Sequence, residues 1–409
     1  MSSPLPSDDA ARRALTELIR SSGRDVLATM TRWTGDLSLA EDAVQDATLR
    51  ALEVWPRDGV PDNPVAWLRL TARRRAVDLV RREVARRPKE VAAMPDHLDD
   101  EPEPTPSAVD DDLLRLVFTC CHPSLALETQ VSLALRTLCG LTTEEVARAL
   151  LVSEPAMAKR LTRARQKIKQ AHIPYRVPPD HELPDRWAAV LATTYLLFNE
   201  GYAATTGAAL VRVHLVDEAI RLARLLVRLQ PDDAGAWGLL ALMLLQDSRR
   251  ATRTDATGEA VLLAHQDRAA WDNAAITEAV SLVGEALRRT PEHPDRYVVQ
   301  AAIAACHALA PSWAETDWTA VVSWYDVLLT LDDGPVVRLN RAVAVAESDG
   351  ADVALALVDA IEGLDGYALW HATRGVLLRR LGRPDEAALA DAAAAALPLN
   401  DRQRALLGG

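Results

Sequence analysis

The sequence has little of what secreted or membrane-spanning proteins need. Its 409 residues include 4 cysteines, too few for a disulfide framework. The longest uncharged stretch, 297–314, contains glutamine, histidine and proline and is shorter than the ~20 apolar residues of a membrane-spanning helix. The first ten residues show neither the basic nor the apolar region of a secretory signal. We therefore expect a cytoplasmic protein that does not cross a membrane.

Signals for β-structure and for catalysis are also missing. No stretch alternates apolar and polar residues as a half-buried strand does, whereas apolar residues recur at the spacing of an α-helix. The sequence contains no Walker loop, no Ser/His/Asp set and no carboxylate pair in a catalytic context. The fold class predicted is all-α, and we expect neither an enzyme nor a cofactor.

The net charge argues at first against a nucleic-acid partner, because 46 Lys and Arg face 58 Asp and Glu, which gives −12. The charge is unevenly distributed, however. Residues 69–90 hold nine basic and three acidic side chains, and residues 159–169 hold six basic and no acidic ones. Between them, residues 91–120 hold eight acids and one base, and residues 174–409 hold 32 acids and 21 bases. Two basic segments therefore stand out from an acidic chain.

Proline-rich breaks divide the chain. Residues 91–112 are rich in proline and acid and predict an extended linker, and a second group of prolines ends a basic helix near residue 174. The predicted organisation is an N-terminal tail (1–20), a helical domain (21–90), the linker (91–112), a second helical domain (113–173) and a long extension (174–409).

The extension shows a repeat. Leu331, Leu364 and Leu397 each end a helical run and lie 33 residues apart. This spacing, with helix–turn–helix content, is typical of tetratricopeptide (TPR) arrays, and LGRPDEA at 381–387 fits the turn of such a repeat. The turn at Pro291 is out of phase. We predict a TPR-like helical array.

Residues 142–169 have the pattern of a helix-turn-helix. Thr142 and Glu145 form a possible capping box, and Ser153 is placed to cap a second helix. On that helix Met157, Leu161, Ala164 and Ile168 share one side, while basic side chains occupy the other. Such a helix can read the major groove, although an ordinary solvated helix would show the same pattern.

A second basic helix follows Asn63 and Pro64. One of its sides is apolar, and the other carries Trp67 among arginines. Aromatic rings stack on unpaired bases and guanidinium groups hold phosphates, so this side suits a melted strand. The alternative is a tryptophan packed beneath neighbouring helices. Upstream, the helical segment 40–55 turns Glu41, Asp42, Gln45, Asp46 and Arg50 away from its core side, toward solvent or a partner.

Together these segments resemble a known family. AEDAVQDATLRALEVW at 40–55, NPVAWLRLTARRRAVDLVRR at 63–82 and LTTEEVARALLVSEPAMAKRLTRARQKIK at 141–169 are similar to the two domains of extracytoplasmic-function (ECF) sigma factors of bacterial RNA polymerase. FTCCHPSLA at 118–126 and YLLFNEGYAA at 195–204 resemble the ECF subgroup with a large C-terminal TPR-like extension.

The resemblance implies a role for each segment. The first domain would bind core polymerase, at the β′ clamp, and the promoter −10 element, and the helix-turn-helix domain would read the −35 element. The partners implied are core RNA polymerase, through its β′ clamp and β flap, and promoter DNA. The site residues implied are Asp42, Gln45 and Asp46 for polymerase; Asn63, Trp67, Arg73, Arg74, Arg81 and Arg82 for the −10 element; and Ser153, Glu154, Ala156, Lys159, Arg160, Arg163 and Lys167 for the −35 element.

The chain departs from the family pattern at Arg74, Leu151 and Ala158, so a promoter sequence cannot be transferred from the family. Two other hypotheses stay open at this point. One is a stand-alone helix-turn-helix regulator with a TPR-like sensor, and the other is a TPR-like scaffold. Neither explains the Trp67 side and the Asp42 helix together.

Two further motifs are open to a ligand interpretation. Adjacent residues on a helix diverge by about 100°, so Cys120, Cys121 and His122 cannot share one metal ion with good geometry. We expect a packed pair of apolar thiols and no metal site. In the motif from Asn199 to Tyr202, Gly201 is expected to cap a helix C-terminus. The acidic extension, beside two basic helices, suggests regulation in cis or through a protein or peptide partner.

Overall fold

The computed structural model describes residues 8–86, 111–150, 152–171, 173, 175–202, 213–255 and 261–397. In these ranges the secondary structure is helical apart from turns and an isolated bridge at Thr254, which confirms the all-α prediction. The residues fall into two compact units, Met1–Leu197 and Phe198–Gly409. Among the described helices none is long and apolar enough to cross a membrane.

The first unit opens with three long helices that pack on one another, α1 (Asp8–Thr34), α2 (Leu37–Asp58) and α3 (Pro64–Arg86). Alanines at one-turn intervals on α2 let its neighbours approach closely, and this stripe ends in a fully buried tryptophan. The stripe is Ala40, Ala43, Ala47, Ala51 and Trp55. Residues 8–20, predicted as a tail, belong instead to α1, because Ala11, Leu15 and Leu18 are buried.

Four shorter helices form the second domain of this unit: α4 (Asp112–Cys120), α5 (Leu127–Thr137), α6 (Thr143–Ala149) and α7 (Glu154–Gln170). The predicted linker lies mostly outside the described residues. Its last residues are described: Asp111 caps α4, accepting a hydrogen bond from the Leu114 amide at 2.8 Å, and Asp112 begins the helix.

Helix α8 (Pro184–Tyr202) spans the division between the two compact units, which falls later in the chain than the predicted boundary at residue 174. Trp187, Val190 and Leu191 are buried. The Sγ atom of Cys121 lies 3.1 Å from the Oγ1 atom of Thr193. The first part of α8 therefore closes the core of the helix-turn-helix domain, and the second unit begins near its last turn.

The second unit is a series of α-helices, and helices that follow one another along the chain contact each other. They are α9 (Val213–Leu229), α10 (Ala234–Asp247), α11 (Asn273–Arg289), α12 (Arg296–Leu309), α13 (Trp318–Leu331), α14 (Pro335–Ser348), α15 (Ala351–Asp359), α16 (Ala368–Arg380) and α17 (Pro384–Ala396). The regular 33-residue spacing of the leucines begins at α13. Longer connections after α10 and α12 put the turn at Pro291 out of phase. The specific TPR assignment stays a prediction.

Two glycines mark close helix contacts in this unit. A Cβ atom on Gly201 would lie 2.7 Å from the backbone nitrogen of Val216 in α9, and one on Gly238 would lie 2.5 Å from that of Val298 in α12. Gly201 lies within α8 with helical backbone, so the prediction of a C-cap is wrong. Its small size serves helix packing instead.

The contact at Gly238 can be tested against Gly284. We expect Gly238→Ala to lower the free energy of unfolding by about 1–3 kcal/mol, because the new methyl group collides with backbone. Gly284→Ala should raise it by up to about 1 kcal/mol, because a Cβ there meets only the end of the Arg288 side chain at 3.7 Å. Thermal and urea unfolding of both variants measures the difference. Equal stabilisation by both changes would contradict the close contact.

Candidate nucleic-acid interface

The basic helix α3 is anchored by its cap and its apolar side. The Oδ1 atom of Asn63 accepts a hydrogen bond from the Ala66 amide at 3.0 Å, so this side chain caps the helix while remaining exposed. The buried side then recurs at one-turn spacing, at Leu68, Ala72, Ala76 and Val80. The arginine-rich side is thereby turned outward.

Trp67 is consistent with both interpretations drawn from the sequence, packing against a neighbouring helix and stacking on an unpaired base. Its ring centroid lies 5.5 Å from that of buried Trp55, with the two planes at 68°. Such an edge-to-face contact fixes the ring orientation. Trp67 is nevertheless only half-buried, so part of its ring remains available for stacking on a base.

The arginines of α3 divide by their neighbours. Arg74 and Arg81 are exposed. Arg73 lies over the ring of Trp33, with its Cζ atom 5.5 Å from the centroid. Arg75 is ion-paired with Asp46 of α2. The side chain of Arg82 lies outside the described residues. Among the predicted −10 arginines whose side chains the structure describes, Arg74 and Arg81 are therefore the most accessible to a phosphate.

The helix-turn-helix forms as the sequence predicts. The Thr142 amide donates to Glu145 Oε2 at 2.7 Å, and the Glu145 amide donates to Thr142 Oγ1 at 3.1 Å, which confirms the capping box. Helix α7 follows and buries Met157, Leu161, Ala164 and Ile168. Ser153 stands at its N-cap position, but its side chain makes no capping hydrogen bond.

The opposite side of α7 is open to solvent. The predicted −35 residues that are exposed are Ser153, Glu154, Ala156, Lys159, Arg163 and Lys167. Arg160 differs from them, because it lies 3.4 Å from Glu128 and 3.4 Å from the Ser132 hydroxyl of α5. Arg160 therefore holds α7 on its own domain, whereas Arg163 forms no ion pair among the described residues.

Helix α2 presents a third surface. Asp42 and Gln45 are exposed, as predicted, whereas Asp46 is partly occupied by Arg75. Partial burial and the neighbouring Asp46 raise the pKa of Asp42. Leu49 and Leu52, which were not predicted from the sequence, are 51% and 41% exposed. Their spacing after Gln45 continues the same helical stripe, and this was the signal available.

The same helix contacts the helix-turn-helix domain. Arg165 of α7 is ion-paired with Glu41, and the Nζ atom of Lys169 lies 3.5 Å from Asp36 Oδ2. Burial lowers the pKa of Arg136 in α5, and the nearby carboxylate of Glu41 opposes this shift. The acidic end of α2 is therefore surrounded by cations from the second domain.

Cys120 and Cys121 are buried free thiols, which confirms the packed pair. Burial raises the pKa of Cys120, and it raises the pKa of Cys121 to about 12 although the Thr193 hydroxyl opposes this. Within the part of the chain that the structure describes, no three His, Cys, Asp or Glu side chains are grouped for a metal ion.

Comparison with known proteins shows which families the two domains that carry these surfaces match. The family model for sigma-70 region 2 matches residues 18–86, and that for sigma-70 region 4 matches residues 115–168. A family of unknown function, DUF6596, matches residues 186–287. The chain is also 43% identical over 396 residues to an uncharacterized protein, R00370, of Rhizobium meliloti, covering 95% of this chain and 92% of the relative.

The chain is an ECF-type sigma factor with a C-terminal extension. Region 2 corresponds to most of α1 together with α2 and α3, and region 4 to α4–α7. DUF6596 covers α8–α11. The sigma factor therefore serves promoter-specific transcription, and sigma-factor families are not enzymes.

Proposed function

We propose that this sigma factor binds core RNA polymerase through the exposed stripe of α2 and places its two basic helices on the two promoter elements. The polymerase-binding stripe is Asp42, Gln45, Leu49 and Leu52. Helix α3 meets the melted −10 element with Trp67, Arg74 and Arg81, and α7 meets the −35 element with Lys159, Arg163 and Lys167. The observation that carries the proposal is that three surfaces of unlike chemistry are exposed on one unit.

The chemistry of each surface fits its partner. Exposed leucines beside a carboxylate and an amide are typical of a protein-docking surface, where apolar anchors supply the energy and polar groups the register. A half-buried tryptophan among arginines suits an unpaired strand. A helix with exposed basic side chains and no apolar residues at those positions suits the major groove. A stand-alone regulator would use the last surface alone.

The acidic extension would regulate initiation, in cis or through a protein or peptide partner. The same reconstitution tests both proposals. Purified core polymerase with this chain should initiate specifically from a promoter carrying −35 and −10 elements, and duplex binding without core should be weak. Specific binding to duplex without core, and no initiation with it, would support the regulator instead.

The extension is tested by a truncated chain that ends after Tyr202, which keeps α8 over Cys121. Unchanged initiation by that chain would exclude regulation in cis.

Charge reversal at Asp42 tests the docking stripe. Asp42→Arg should weaken binding to core polymerase at least tenfold, about 1.4 kcal/mol, because it places a cation where the partner meets an anion. Asp9→Arg, an equal charge change at an exposed position on α1, is the control. Affinity is measured by fluorescence anisotropy with labelled sigma factor. Equal losses in both variants would remove Asp42 from the interface.

Arg163 and Lys167 separate base reading from phosphate contact. Arg163→Ala in the holoenzyme should cost about 1–3 kcal/mol on the cognate −35 element and less on a scrambled one, because a guanidinium that reads a base edge contributes to specificity. Lys167→Ala should weaken binding to both duplexes alike and reduce the salt dependence. Equal loss on both duplexes for Arg163→Ala would contradict its role in base reading.

A further inference from the structure

Two arginines of the second unit differ from most of the others there, because they have no carboxylate partner. Most described arginines of this unit form an ion pair, as Arg341 does with Asp326. Arg249 and Arg268 form no ion pair with the described residues, although both side chains are half-buried. A partly desolvated cation without a counter-charge is unfavourable, so these two positions call for an explanation.

The fold brings the two arginines together in the connection between α10 and α11. Arg249 precedes one short 3₁₀ turn, and Arg268 begins another. These two turns contact each other, and the Nε1 atom of Trp271 donates a hydrogen bond to the Thr252 hydroxyl at 3.0 Å. Burial lowers the pKa of Arg268, and the nearby charge of Arg249 lowers it further. The two like charges are therefore held near each other by the backbone around them.

Each guanidinium lies over an aromatic ring. The Cζ atom of Arg268 is 5.3 Å from the centroid of Trp271, and that of Arg249 is 5.8 Å from the centroid of Tyr202. A guanidinium packed over a ring keeps the donors along its edge available to a planar or tetrahedral anion. In Arg249 the Nη2 atom donates to Gln246, whereas Nε and Nη1 have no hydrogen-bond partner among the described residues. Donors therefore remain for a ligand.

A histidine of α12 lies beside the two arginines. The Nη1 atom of Arg268 donates to the carbonyl oxygens of His307 at 2.7 Å and Ala310 at 2.9 Å, at the end of that helix. The Nδ1 atom of His307 is buried, and no described residue forms a hydrogen bond with it. Burial and the charges of Arg268 and Arg249 lower the pKa of His307 to about 4. The imidazole is therefore neutral at pH 7 and reports on the charge beside it.

We propose that Arg249, Arg268 and His307 form a binding site for a phosphate group, either free phosphate or the phosphate of a small phosphorylated molecule. We call it the arginine site. Guanidinium groups bind phosphate oxygens through charge-assisted hydrogen bonds that are often bidentate. A phosphate monoester carries nearly two negative charges at pH 7, which matches the two unpaired arginines. The arginine site goes beyond the proposed function, because binding there requires neither polymerase nor promoter.

The test measures phosphate binding to the full-length chain by isothermal titration calorimetry, at pH 7 and constant ionic strength. Arg249→Gln should weaken binding at least tenfold, because it removes one cation and spares the hydrogen bonds that Arg268 makes to α12. Arg228→Gln removes the same charge at an exposed position on α9 and should bind as the parent does. The ligands are inorganic phosphate and glycerol phosphate. Tighter binding of glycerol phosphate would identify a phosphorylated molecule, and equal or tighter binding of inorganic phosphate would identify the free anion.

His307 locates the bound anion independently of the arginine variants. With ¹³C at the histidine Cε1 positions, and with His307→Gln to assign the signal, phosphate should shift the His307 signal saturably. It should also raise the pKa of His307, because an anion opposes the repulsion by the arginines. No saturable binding of either ligand would overturn the arginine site, as would equal affinity in Arg249→Gln and the parent. A His307 signal that does not respond to bound phosphate would overturn it even if Arg249→Gln fails to fold.

Discussion

The position of α2 between two sets of cations is the constraint on which the first unit depends. Most residues on its buried side are alanines, and their small side chains let α1 and α3 pack closely against α2. Its flanks then meet Arg75 of α3 and Arg165 and Lys169 of α7. What remains exposed is the stripe from Asp42 to Leu52. One helix thus organises the core, the contact between domains and the proposed polymerase surface.

The sequence predicted most of what depends on local periodicity and capping. The basic side of α7 and its buried residues follow from helical spacing, and the Thr142–Glu145 box follows from side-chain chemistry three residues apart. It could not distinguish cations that are free from those that are paired. Arg160 and Arg163 look alike in the sequence, yet Arg160 meets Glu128, which lies on another helix. Such pairing depends on tertiary contacts with no local signal.

Local punctuation by glycine and proline was a weaker guide than periodicity, because tertiary contacts can override it. Gly201 resembles a C-cap, but the close approach of Val216 explains the glycine. The prolines near residue 174 resemble a domain boundary, but α8 returns to cover Cys121. In both cases the deciding contact comes from a segment that is distant in the sequence, and a local window does not contain that segment.

The ion pairs that join α7 to the beginning of α2 are partly exposed, and this sets what they can contribute to stability. Deeply buried ion pairs cost so much desolvation that opening them would strand charges in an apolar core, whereas fully exposed pairs contribute at most about 1 kcal/mol and would not hold two domains together. The Arg165–Glu41 and Lys169–Asp36 pairs lie between these limits, and α4 packs on α1 in the same unit. The net charge of −12 therefore hides basic surfaces, because some of the cations of α3 and α7 have their counter-charges on α2 or at its N-cap.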